Sequence, residues 1–456
     1  MTSGKVFYIS VKENPTETIN KIKNIKNSNK QVGYKISYLH GLQVFGILFW
    51  CAIAVSVQTL IPRNNSIMQP TYWYEINIAA GMPLLIMAVI TILECSILTE
   101  NKSFISVQFS LKLGGLLLLA WITSYCACFF LWSKILEYNH PMPFLGLICY
   151  YLVKFLSITC FWFLLPASLL REKEFKQKLR TFMLYQLVWV MVSLSHNLLS
   201  TVFRELENTD FQCIVAVLIP IFKGCSKLSL MRVVCKTMKT EKEMTNVNQV
   251  TAVNISYGLF IATNLTGARI VTVFGIVIVE FLMQLRMTHQ IVQLHKKVSI
   301  RQNKKIRKEK KKAILSLILA EMCEGLVFLA YALCLAMSYY GPNTKLTNGV
   351  GIGIWGYDAI VDDGKTFLIL FGLFSVDLMS FLLNAFINSI FCNVNIFYEF
   401  CVVLKKYWYI IALHLANSTS LYFLGNDINF ALDWTLRFCW ITNGERCKAS
   451  FSSTDM

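Results

Sequence analysis

Apolar runs of membrane-crossing length recur along the chain, separated by short polar or basic connections. They fall at about 42–61, 76–98, 113–135, 144–170, 182–202, 211–235, 313–339, 367–390 and 408–424. About 20 apolar residues in a helix cross the hydrocarbon core. Lipid offers the backbone no hydrogen-bond partners, so runs of this kind are helices. The pattern therefore predicts an all-α, polytopic transmembrane helical bundle of ten or eleven spans.

The segment 247–285 is ambiguous, because both its flanks are basic. It reads either as two short crossings meeting near Asn264-Leu265-Thr266-Gly267 or as a re-entrant hairpin. The helical pattern of the run at 367–390 continues as far as Lys405, so one long helix is expected there. Beyond 424 the tail alternates Phe430, Leu432, Trp434, Leu436, Phe438 and Trp440, which fits a short strand or an interfacial segment.

Charge supplies the orientation. The chain is 55% hydrophobic and only 15% charged, yet its formal net charge is +17. Most of that excess sits in the connections. Residues 286–312 hold eleven Lys and Arg against the single acid Glu309. Lys and Arg beside spanning helices stay on the cytoplasmic side. The bias alternates through the first six runs, which places the basic segment 1–41 and the polybasic loop 286–312 in the cytoplasm. The organisation read from this is a basic N-terminal segment (1–41), a first membrane part (42–285), the polybasic loop (286–312), the last spans (313–424) and a tail (425–456). The N-terminal segment lacks an early apolar core and a cleavage site, so the first run reads as an uncleaved signal anchor. The sequon Asn64-Asn65-Ser66 then falls outside. The bilayer is the expected partner, with anionic lipids near 286–312 and no nucleic acid. The 15 Cys show no metal or redox spacing, and nothing in the pattern asks for a cofactor.

The candidate chemistry lies in polar residues inside the apolar runs, where ionisable groups are costly unless paired or hydrated. Lys154, Lys223, Glu324 and Asp377 each sit about ten residues into a run, close to the midplane at about 1.5 Å per residue. Mutual pairing is expected, with Asp377 matched to Lys154 or Lys223. Glu94, Arg232 and Glu280 lie nearer run ends and read as structural. Lys223 and Lys227, four apart after Pro220, repel and require a compensating anion.

Asp377, Ser380, Asn384, Asn388, Asn395 and Glu399 form a stripe along one helix face. Such a stripe either lines a water-filled path or bonds to neighbouring helices. His414, Asn417 and Ser418 share another face, and Glu321 and Glu324 are one turn apart. The run Gly349–Asp358 contains Gly-Tyr-Asp, but no pore helix precedes it, which excludes a potassium-filter reading. A solute or ion transporter or channel is therefore the leading expectation. Its site residues would be Lys154, Lys223, Lys227, Glu321, Glu324, Asp377, Asn384, Asn388, His414 and Asn417. The alternatives are a membrane receptor signalling through 286–312 and a membrane-embedded enzyme using His414 as base.

Overall fold

The computed structural model describes residues 41–54, 107–131, 145–205, 243–265, 270–301, 304–340, 365–392 and 394–425, with a few positions between 56 and 93 and between 214 and 230. The described residues are helical almost throughout and contain no strand. The helices are α1 (Gly41–Ala54), α2 (Val107–Phe130), α3 (Leu145–Leu164), α4 (Ala167–Arg171), α5 (Lys173–Glu205), α6 (Glu243–Leu265), α7 (Ile270–Arg301), α8 (Lys304–Tyr340), α9 (Lys365–Cys392) and α10 (Ile396–Gly425). The alternating tail beyond 425 and the glycine-rich loop lie outside the described residues.

Among the described residues, three helices contain stretches long and apolar enough to cross a membrane: Leu111–Cys128 in α2, Lys304–Met337 in α8 and Phe367–Cys392 in α9. The first residues of the α8 stretch, through Lys312, are basic, and its apolar run begins at Ala313.

The centre of the bundle is the pair α6 and α8. From Val247 to Ala262, α6 is buried at nearly every position, and α8 is buried over most of its apolar length. The two helices pack closely at Gly258, where an added Cβ would lie 3.3 Å from Val327 Cβ. Small residues at a crossing allow such close backbone approach. Helices α7, α9 and α10 surround this pair, while α2 and α3 pack on each other. The outer face of α9 is apolar and exposed, with Leu368 74% and Met379 70% accessible. That is the composition of a surface facing lipid rather than water.

The segment 247–285 is covered by two helices, α6 and α7, with the break after Leu265, where the two-segment reading of the sequence puts it. Elsewhere the structure departs from the sequence reading. The polybasic stretch is helical on both sides of 302–303, continuing α7 and opening α8. It contains neither Gly nor Pro, and Lys, Arg and Gln are good helix formers. The run 144–170 divides at Pro166, whose missing N–H ends α3 and starts the short α4.

The helix expected to continue to Lys405 also stops, at Cys392. A new helix begins at Ile396, where Asn395 Oδ1 accepts the backbone N–H of Tyr398 at 3.0 Å. Asn395 is thus an N-cap, satisfying a donor the first helical turn leaves without a partner. It and Glu399 belong to α10, so the stripe on α9 ends at Asn388.

Candidate functional site

Helices α7 and α9 run side by side in the same direction. Two polar rungs fix their register: Ser380 Oγ donates to Gln284 Oε1, and Thr288 Oγ1 donates to Asn384 Oδ1 at 2.7 Å. Helix α8 runs opposite to both. It contributes Glu321, whose Oε1 accepts from Asn384 Nδ2 at 2.7 Å. Asn384 also lies 3.4 Å from Ser380 Oγ, and Asn388 Nδ2 donates to the carbonyl of Asn384 at 2.8 Å. Ser380, Asn384 and Asn388 are all buried. The stripe therefore meets neighbouring helices, and hydrogen bonding between helices accounts for its middle.

One turn before Ser380, the stripe opens into a group of charges. Lys223 Nζ donates to Glu280 Oε1 at 2.7 Å and also bonds Glu324 Oε1. Its ammonium stands 4.1 Å from the centre of the Tyr257 ring, in cation–π geometry. Tyr257 in turn donates its hydroxyl to Glu280 Oε2 at 2.9 Å. Lys223 and Glu280 side chains are each 12% accessible and Glu324 only 2%. Asp377 completes the group. Its Oδ2 is buried and has no hydrogen-bond partner among the described residues, and neither has the buried Glu321 Oε2. Asp377 lies in the electrostatic field of Glu324, Glu321, Glu280 and Lys223 together.

Glu280, Glu324, Asp377, Gln284 and Ser380 share a partly open cleft between α7, α8 and α9, with a cavity volume of about 30 Å³. The remaining walls are apolar, among them Ile261, Phe281, Phe328 and Leu373. Among the described residues, Glu280, Glu321, Glu324, Asp377 and Lys223 bring four carboxyl groups and one ammonium together here. With every carboxyl ionised the group would hold three surplus negative charges in a low-dielectric interior, a state several kcal/mol uphill per unpaired ion. Such a group accumulates protons or other cations. Among the described residues no three His, Cys, Asp or Glu side chains converge as metal ligands.

The structure distributes the other predicted site residues elsewhere. Asp377 pairs with neither lysine. Lys223 is taken by the two glutamates, and Lys154 Nζ lies 3.5 Å from Thr91 Oγ1 on a different part of the bundle. His414 Nε2 stands 2.8 Å from Asn248 Oδ1, joining α10 to α6 well apart in sequence from the charges. Asn417 is half-buried one turn further along α10. Lys227 lies outside the described residues.

Two functional candidates escaped the sequence reading. By sequence Glu280 falls near a run end, because 247–285 has no clear boundary. With α7 starting at Ile270 it lies ten residues in, about 15 Å along the helix. Tyr257 gave no signal beyond being an aromatic in an apolar stretch. The polar positions Asn248, Gln249, Thr251 and Asn254 on the same helix, all buried, were the available hint that α6 is central. Comparisons with protein-family models, with curated proteins and with solved structures find no match to this chain.

Proposed function

We propose that this chain is a multi-pass integral membrane transporter or channel that moves a cation, or a solute coupled to protons, through the cleft between α7, α8 and α9. The proposal includes the ten or eleven spans and the cytoplasmic placement of 1–41 and 286–312 drawn from charge bias. The observation that carries it is the excess of carboxyl groups over ammonium around Lys223 among the described residues, together with Asp377 Oδ2, which has no hydrogen-bond partner among them. A network built only to hold helices together is balanced, since an uncompensated buried charge destabilises the fold. Ionisable groups left over in a membrane interior are candidates for an ion or proton pathway.

The last spans enter the path in a narrower way than a continuous stripe would require. Asp377 on α9 lines the cleft, while Ser380 and Asn384 hold α9 in register with α7 and α8, and Asn388 bonds within its own helix. His414 belongs to the α6–α10 contact and is a packing residue in this reading.

The test is flux in proteoliposomes containing the purified full chain. Imposed proton, sodium and potassium gradients are compared with protein-free vesicles. A rate above the protein-free level for at least one cation supports the proposal. Folded protein that adds nothing to any of the three overturns it.

A further inference from the structure

We propose that the cleft is a proton site: Asp377 Oδ2 holds a proton that exchanges with water in the cleft, and the cation of the transport reading is that proton. This deepens the transport reading and rests on it for the use made of the proton, although the proton on Asp377 is measurable by itself.

The hydrogen bonds sort the four carboxyl groups. Both oxygens of Glu280 accept from protein donors, Oε1 from Lys223 and Oε2 from Tyr257. Glu324 Oε1 accepts from Lys223 as well, and Glu321 Oε1 accepts from Asn384. Donors of this kind support a carboxylate, most of all a charged one. Asp377 Oδ2 has none among the described residues, and it is buried. Glu324, Glu321 and Glu280 all act on Asp377 electrostatically, against the single ammonium of Lys223. An ionised Asp377 would therefore be a buried charge with no donor at this oxygen and no cation of its own, whereas an O–H there removes the charge. Glu321, 5% accessible, has a second such oxygen in Oε2, but Glu321 does not line the cleft. Asp377 does, so the proton that exchanges is assigned to it.

The size of the cleft selects among cations. Its cavity volume is about 30 Å³. A water needs at least about 10–15 Å³ of such volume, so one or two waters fit and a metal cation with its hydration shell does not. A cation stripped of water needs several oxygen ligands at one point. Here both Glu280 oxygens and Gln284 Oε1 already accept from Lys223, Tyr257 and Ser380. A proton needs one carboxyl oxygen and one water. Release breaks the O–H bond at Asp377 Oδ2, and the water becomes hydronium and carries the positive charge away. The reverse transfer restores the carboxyl and the water.

The test has two readouts on the purified full chain in lipid vesicles. Infrared spectra in water and in heavy water read the carbonyl stretch of protonated carboxyls. A trapped pH-sensitive dye reads proton entry under an imposed pH gradient, with equal sodium and potassium on both sides and valinomycin to dissipate voltage. Wild type is expected to show a protonated-carboxyl band that shifts in heavy water, and that band should be missing from Asp377→Asn. Proton entry should exceed that of protein-free vesicles and fall about tenfold or more in Asp377→Asn. Sodium or potassium gradients at equal pH should drive nothing. A carboxyl spectrum unchanged in folded Asp377→Asn would overturn the proton site, as would no exchanging band in folded wild type. If Asp377→Asn fails to fold, Asp377→Glu decides: the exchanging band should move, and an unmoved band overturns the site. Sodium or potassium flux in wild type that moves no protons would overturn the proton as the transported cation and leave the transport reading standing. An Asp377 band without flux of any cation would retire the transport reading alone.

Discussion

Lys223 Nζ lies 2.7 Å from Glu280 Oε1, and these two residues come from apolar runs 57 positions apart. The same ammonium also bonds Glu324, so one cation serves two buried carboxylates. Lys223→Met would leave both without their partner. Breaking a buried pair by removing one member typically destabilises by about 3–5 kcal/mol. The expected outcome is a large drop in melting temperature for Lys223→Met, partly restored by adding Glu280→Gln. A double variant as unstable as the sum of its singles would contradict the pairing.

Asn384 and Asn388 are neighbours on α9 with different partners. Asn384 bonds Thr288 and Glu321 on two other helices, whereas Asn388 donates to a carbonyl of its own helix. Leaving buried partners unsatisfied costs about 1–3 kcal/mol each. Asn384→Ala should therefore lower thermal stability clearly more than Asn388→Ala. Equal effects, or a stable Asn384→Ala protein, would show that the stripe is not holding the helices together.

Gly258 sets how closely α6 approaches α8. A methyl there would press on the Cβ and both methyls of Val327 at 3.3–3.4 Å, and these atoms cannot swing aside as a long chain end can. Gly258→Leu should destabilise by roughly 1–3 kcal/mol through overpacking. Val327→Ala should return part of that loss. No recovery in the double variant would place the strain elsewhere.

The basic helix ends make a separate prediction. His295 Nδ1 accepts from Lys310 Nζ at 2.8 Å, beside the C-terminal end of α9 at Cys392. Burial, and then the Lys310 charge, lower the His295 pKa from its ordinary value. The Lys310 ammonium is lowered as well, by burial, with Cys392 opposing. A folded-state pKa below the unfolded one means that protonation favours unfolding. The contribution of His295 is fully present above its unfolded value of about 6.5 and is lost as pH falls through that value toward the folded one. Melting temperature should fall between about pH 7.5 and pH 5.5, and His295→Gln should flatten that dependence. An unchanged slope would exclude His295 as its source.

How much of this was readable in the sequence depends on the kind of signal. Apolar length and a polar helix face are local, so α8, α9 and the set Asp377, Ser380, Asn384 could be read directly. Helix breaks were read only in part. Pro166 and Asn395 interrupt helices that hydropathy alone continues, since a proline within a run and an N-cap asparagine barely alter its average. Pairing was the least accessible. Lys223 was matched to the correct sign but to the wrong carboxyl, because four acids lie within reach and only the packing of α7 against α8 selects Glu280 and Glu324. Glu280 and Tyr257 were missed for the same reason, as their importance comes from facing Lys223 across separate helices.

The central claim is that the acid surplus around Lys223 lies on a cation path, and Asp377 is the place to measure it. Wild type and Asp377→Asn are reconstituted into identical proteoliposomes after matched melting temperatures establish that both are folded. Cation-driven flux is then recorded under imposed proton, sodium and potassium gradients. The account predicts flux above protein-free vesicles for wild type and a loss of about tenfold or more in Asp377→Asn. Equal flux in the two proteins, or none in folded wild type, would contradict it.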